Sequence, residues 1–437
     1  MTHQLSFDEI NQFKEDYASQ SQNYLAQLAV VTNGVQKASY NTQAVDRLNR
    51  TFSIEIPTDN VTNQKQSGRC WLFAALNVLR HEFAKKYQAK NFLLSQSYLF
   101  FWDRIERANI FLDRVIETAD LELDDRTVQS YFRAPDTDGG QWHMAVSLIR
   151  KYGLVPAYAQ TESFTANNTA AFNQALNMKL REDGLILRQL VKEGKSQEVE
   201  AKRKEFLSEI YRMAVIAFGQ PVEKFDLEYK DDQGQYQIKQ NLTPLDFFHE
   251  YFTDDLDDYV VVFNAPDHEF GKLYALPFED NVVGGSPVRF LNAEIDVLKK
   301  AAIEQLKAGE TFWFGCDVGK SSDRQAGILA ADLYQTDAIF GIETKLDKKA
   351  RMLTGASGST HAMTMVGVDV VDGQARQWKV ENSWGEKVGK NGYFVMDDEW
   401  FDEYLFKVVV KKQYLPAELV KIAQGTAEAV KPWDSMA

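Results

Sequence analysis

Apolar positions repeat at helical spacing through much of the first half of the chain and give way to short β-branched and aromatic runs in the second. In Ser6-Phe7-Asp8-Glu9 the serine and glutamate stand at capping-box spacing, and Phe7, Ile10, Phe13 and Tyr17 continue the pattern as an amphipathic helix. Another helix is expected from about Tyr24 to Thr32. Residues 52–60 read as extended, with Pro57 and Asp59-Asn60 turning the chain. Leu72, Leu76, Leu79 and Phe83 then form an apolar stripe that predicts a core helix. The next helix opens at Leu94-Ser95-Gln96-Ser97, capped by Ser95 or Ser97, and leads into a helical 103–115 region whose charges are expected on a solvated face. Trp142, Ala145, Leu148 and Ile149 keep helical spacing up to Gly153. From about Thr161 to Gln220 the chain is helical and highly charged: Val199, Phe206, Ile210, Met213 and Ala217 form one side, Glu198, Lys202, Arg203 and Glu205 the other.

Strand signals follow at Tyr259–Phe263, near Val282-Val283 and at Thr311–Phe314, with a helix from Glu294 to Lys307 ended by Gly309, and 320–341 reads as irregular. A β-rich run through Val366, Val368, Val370 and Val371 is separated from the run ending at Val380 by Asp372-Gly373, the strongest short hairpin signal.

At 437 residues the chain is too long for one small core, and 44% hydrophobic residues are ample for burial. The net charge of −14 opposes phosphate and nucleic-acid binding and favours solubility. Cys70 and Cys316 allow at most one bridge, which would consume the candidate nucleophile, so a reducing cytoplasm is the consistent compartment. Met1-Thr2-His3-Gln4-Leu5 lacks a basic region followed by an apolar core, and no run of ~18 apolar residues predicts a membrane span. Without a phosphate loop, a Cys-x-x-Cys or a His-x-x-x-His, neither nucleotide, metal nor other cofactor is implied.

Candidate chemistry centres on Gln64-Lys65-Gln66-Ser67-Gly68-Arg69-Cys70-Trp71, a polar turn that ends in a cysteine and passes at once into the core helix. A thiol in the first helical turn faces unpartnered N–H groups and the positive end of the helix dipole, so its pKa is expected to fall from about 8.5 toward roughly 3.5–7.5. The hairpin brings His361, before its first strand, and Asn382, after its second, to the same end, where the amide can orient the imidazole. A thiol, a histidine and an amide that fixes its tautomer are what nucleophilic acyl transfer requires. A buried packing cysteine or a core histidine is the competing reading of each residue alone. Cys316 follows an apolar run and is read as a packing residue; His143 stands near the glycine pair, with a substrate-facing or a structural role open to it.

These segments resemble those of papain-like cysteine peptidases. The resemblance implies Cys70 as nucleophile, Gln64 as oxyanion donor, His361 as general base and Asn382 as its orienting partner, with Trp384 of Asn382-Ser383-Trp384-Gly385 as shield at the substrate site. Asp138-Gly139-Gly140 resembles the glycine pair that holds extended peptide. Ser67 stands where papain has a further cysteine, and His361 follows Cys70 at about twice the roughly 130–150 residues of the papain group. Both departures resemble the bleomycin hydrolase and bacterial aminopeptidase C family, as do Trp313–Lys320, Thr360–Thr364 and Asp398–Phe401.

That family resemblance implies an α+β papain-like fold, a helical half plus a β-barrel-like half with a large helical insertion. The expected organisation is a helical packing or assembly segment at 1–51, the nucleophile-bearing half at 52–160, an oligomerisation insertion at 161–250, the half with His361 and Asn382 at 251–415, and an arm at 416–437 reaching the cleft. It further implies a cytosolic cysteine aminopeptidase acting on peptide substrates as a homohexamer, with the carboxylate of Ala437 receiving the substrate ammonium. The tail departs from the family in carrying Asp434 where Gly is common. The alternatives are an oligoendopeptidase with the same machinery and a silent peptide-binding scaffold, the latter requiring loss of a catalytic residue.

Overall fold

The computed structural model describes residues 2–252 and 255–437. Helices Phe7–Ala18 and Ser21–Asn33 open the chain, the first with its capping box closed between Ser6 and Glu9. Neither buries a residue; Phe7, Phe13, Leu25 and Val31 are exposed.

The helical half is built on Cys70–Tyr87, in which Trp71, Leu72, Leu76, Leu79 and Phe83 are essentially inaccessible. Each such side chain contributes roughly 1.5–3 kcal/mol of burial, so this helix holds the half together. Around it pack Gln96–Glu117, capped by Ser95, and Trp142–Tyr152. The charges of the Gln96–Glu117 helix depart from expectation. Asp103, Arg104 and Glu106 are buried, because Arg104 is neutralised by Asp103 at 2.5 Å and by Asp136 at 2.7 Å, and Glu106 pairs with Lys151 at 2.5 Å. An ion network placed inside the core carries the same sequence pattern as a solvated face.

Residues 161–250 supply helices Ala170–Lys192 and Ser196–Phe218, followed by a hairpin of Phe225–Lys230 with Tyr236–Leu242 that the helical reading did not contain. The other half is a sheet of mixed direction whose central strands are Tyr259–Phe263, Leu405–Lys411, Phe312–Cys316, His361–Val371, Gln374–Glu381 and Tyr393–Asp397, in that spatial order. Alternation along these strands divides two cores. Trp313, Ala362, Phe406 and Val409 face the helical half, while Phe314, Cys316, Met363 and Val408 face the interior of the sheet half. Asp372 and Gly373 both take positive φ, as the predicted two-residue turn demands.

Two strand readings are corrected. Val282-Val283 lies in a turn, and the nearby strands are Lys272–Ala275 and Arg289–Asn292. The 320–341 stretch contains short strands at Ser322–Asp323 and Ile328–Leu329 and a helix at Thr336–Phe340; strands of two residues leave no periodic signal. No described helix is long and apolar enough to cross a membrane.

Candidate active site

Cys70 is the first residue of its helix and lies in the wall of a cleft of about 520 Å³ between the two halves. Gln64, Gly139, Gly140, His361 and Ala437 line the same cleft. His361 begins the long strand opposite Cys316, and Asn382 follows the hairpin's second strand. The expected juxtaposition is present: His361 Nε2 lies 2.9 Å from Asn382 Oδ1, and both residues are buried. The Ser383 backbone N–H also donates to Asn382 Oδ1 at 2.8 Å, which fixes this atom as the oxygen. Nε2 must therefore carry the hydrogen, leaving Nδ1 as the basic nitrogen.

The loop before Cys70 is knitted to the Asn382 segment. Gln64 N–H donates to Ser383 O at 2.8 Å, Gln64 Oε1 accepts from Ser383 Oγ at 2.7 Å, and Gln64 Nε2 donates to Ser67 O at 2.5 Å. The amide is thus held from both ends at the cleft wall. Gly385, at φ +78°, lets the chain pass Asn63, whose Nδ2 would lie 2.4 Å from a Cβ there. Gly140 meets a similar limit: a Cβ would fall 2.6 Å from the Trp71 ring.

Trp384 does not line the cleft. Its indole stacks on the His361 ring at 4.8 Å between centroids, with the Arg324 guanidinium 3.9 Å from the Trp384 ring centroid, so it covers the imidazole instead of lying along the substrate path. His143 also lies outside the cleft wall, and burial pushes its pKa down to about 3, so it is a neutral imidazole.

The helix-start position predicts an acidic thiol, and the structure reverses the sign. Burial pushes the Cys70 thiol up to about 11, against the amides of Ala362, Trp71 and Cys70 itself, and the nearby Asp138 charge adds to the rise. Burial likewise brings His361 down to about 4 despite its bond to Asn382. Desolvation of each group ionising alone outweighs the helix terminus. Cys70 and His361 line the same cleft, where the thiol proton can pass to the imidazole as charge develops on sulfur.

The C-terminal arm is bound along its length. Val430 N–H donates to Ala275 O, the Arg126 guanidinium lies 4.0 Å over the Trp433 ring, and Asp434 meets His268 Nε2 at 3.2 Å. Ser435 Oγ donates to Asp267 at 2.5 Å, and Met436 is buried. Sequence reading missed these anchors because Asp267 and His268 sit in a loop without periodicity, more than 160 positions away. The described residues contain no cluster of His, Cys, Asp and Glu suited to a metal ion.

A helical half and a mixed sheet divided by such a cleft make this a papain-like cysteine peptidase. The chain belongs to the Peptidase C1-like family, whose profile matches residues 4–437. It is 53% identical to aminopeptidase G of Lactobacillus delbrueckii subsp. lactis and 50% identical to aminopeptidase E of Lactobacillus helveticus, over 100% of both chains in each case. Aminopeptidase C of Listeria monocytogenes is 42% identical over 100% of this chain and 99% of its own. The crystal structure of PepW from Lactobacillus rhamnosis HN001 superposes with a TM-score of 0.97 at 45% identity, covering 100% of this chain and 99% of that one.

Proposed function

We propose that the protein is a cysteine aminopeptidase that removes amino-terminal residues from peptides through an acyl-enzyme formed on Cys70. The observation that carries the exopeptidase reading is the position of Met436 and Ala437 in the wall of the Cys70 cleft. An arm there stops the substrate on the side upstream of the cut and offers a carboxylate to its ammonium. The relatives named aminopeptidases over the full chain support the same reading.

The peptide lies extended along Gly139-Gly140. Cys70 Sγ attacks the scissile carbonyl carbon while its proton passes to His361 Nδ1. The oxyanion is received by the Cys70 backbone N–H and by the Gln64 Nε2 hydrogen not engaged by Ser67, donors of a kind whose loss costs about 2.7–4 kcal/mol. The imidazolium then protonates the leaving amine as the C–N bond breaks. His361 next takes a proton from water, whose oxygen attacks the thioester; the acid leaves and the thiol is restored. Asn382 holds the imidazole throughout, and Trp384 excludes water from that bond.

Two buried cysteines, neither in a disulfide, suit a reducing cytoplasm. A free amino-terminal amide substrate is expected to turn over at least about 100-fold faster than its N-acetyl counterpart, since acetylation removes the ammonium and adds bulk against the arm. Equal rates would replace this reading with an oligoendopeptidase.

The apolar faces of Phe7–Ala18 and Ser21–Asn33, together with exposed Phe164 and Ile216 within the insertion, support a closed homo-oligomer, a hexamer with inward-facing clefts. Light scattering at micromolar concentration is expected to give the hexamer mass, and a monomer would contradict the assembly.

A further inference from the structure

Asp138 sits where the nucleophile loop, the nucleophile helix, the glycine pair and the insertion meet. Its Oδ2 accepts from the Gly68 backbone N–H at 2.9 Å and from Thr169 Oγ, and its Oδ1 accepts from Asn173 Nδ2 at 2.7 Å. Its backbone oxygen accepts from Trp71 Nε1 at 2.6 Å. Behind it stands Arg104, 3.5 Å from Oδ1 and itself fully buried. Burial favours the protonated acid, but the Arg104 charge and these three donors together hold the carboxyl below its ordinary value, so it is anionic.

The contact with Gly68 is close enough to set geometry. A Cβ on Gly68 would lie 2.6 Å from the Asp138 Cβ, so glycine is required for the loop to reach the carboxylate. Gly68 lies between Gln64 and Cys70, and the residue after Asp138 begins the glycine pair; Arg107 donates to Gly139 O and steadies that edge. We propose that Asp138 is a positioning residue for the acyl transfer: through the Gly68 amide it clamps the Gln64–Cys70 loop to the peptide-binding edge. The clamp fixes the oxyanion donors and the nucleophile relative to the bound carbonyl, a distance on which rate depends steeply. It rests on Cys70 being the nucleophile. Asp138 acts through Gly68 and does not touch the reacting atoms.

The test uses the full chain carrying D138A, D138N or T169V, with C70A assayed alongside, and measures kcat, KM, melting temperature and the pH dependence of iodoacetamide alkylation at Cys70. D138A is expected to lose about 30-fold or more in kcat with KM changed less than about threefold, because the loss falls on transition-state geometry. D138N keeps an oxygen for Gly68, and Asn173, whose buried Oδ1 has no partner among the described residues, can turn to receive the new amide. It is therefore expected to recover most of the rate. Its alkylation profile moves to lower pH by about half a unit, since a negative charge beside the thiol is gone. T169V should lose kcat severalfold with an unmoved profile, the charge being retained. Wild-type kcat in D138A overturns the clamp, as does equal slowing of D138A and D138N with lowered melting temperature and unmoved alkylation. If D138A does not fold, wild-type kcat with an unmoved profile in both D138N and T169V overturns it. Turnover persisting in C70A would instead mark failure of the nucleophile assignment.

Discussion

Cys70→Ala is expected to lower peptide turnover by at least about 10⁴-fold while leaving the fold and the melting temperature close to wild type. The magnitude follows from removing the atom that forms the covalent intermediate: the remaining donors still bind and polarise the carbonyl, but retain only a small residue of the rate. Stability should change little because Cys70 lies at the edge of its core, in the cleft wall, and the loss of one sulfur there leaves Trp71, Leu72 and Leu76 packed. Iodoacetamide offers a second readout. It should inactivate the wild type by labelling Cys70 and spare Cys316, which burial drives well above the ordinary thiol range. Cys316 is also packed into the core on the opposite face of its strand from the cleft. Because burial pushes the Cys70 thiol up, labelling depends on its proton passing to His361, and His361→Ala should slow it strongly at neutral pH. Appreciable turnover in Cys70→Ala would remove Cys70 from the reaction.

The helical half and the catalytic strands were legible because each carries its own period: the Leu72–Phe83 stripe, the valine run of the hairpin, and Asp372-Gly373 between the strands. The pair of His361 with Asn382 was legible for the same reason, since a two-residue turn dictates which residues end up together. What was not legible depends on contacts between distant parts of the chain. The Asp103–Arg104–Asp136 network reads locally as a solvated helix face, and nothing at 103 and 104 reports a carboxylate arriving from 136. The thiol pKa failed for a related reason. A helix terminus can be read from the sequence, but the depth of burial that opposes it arises only when the two halves pack around the sulfur. Asp138 did carry a signal, its place directly before the glycine pair, but its clamp on Gly68 spans 70 residues.

Deleting Ser435 to Ala437 is expected to reduce kcat/KM for free amino-terminal substrates at least about tenfold and to raise cleavage of N-acetylated and internal bonds by a similar factor. The first effect has an electrostatic basis. A hydrogen bond between two charged groups in a partly desolvated cleft contributes about 1.5–3 kcal/mol, or roughly 10–100-fold in affinity. The second effect is steric. Met436 and Ala437 stand in the cleft wall, so their removal opens space upstream of the cut for residues that the intact enzyme excludes. The shortened chain still keeps Trp433 under Arg126 and Asp434 beside His268, so the base of the arm is expected to remain docked. Loss of the Ser435 bond to Asp267 and of buried Met436 should cost stability by a few kcal/mol at most, visible as a lower melting temperature without loss of cooperativity. The two substrate classes are therefore expected to move in opposite directions, which general destabilisation cannot produce because it would lower both. If the truncated enzyme keeps its preference for free amino termini, another cleft carboxylate is the selector. Glu279 would be the first to replace, because it lies in the same wall and its buried Oε2 has no hydrogen-bond partner among the described residues.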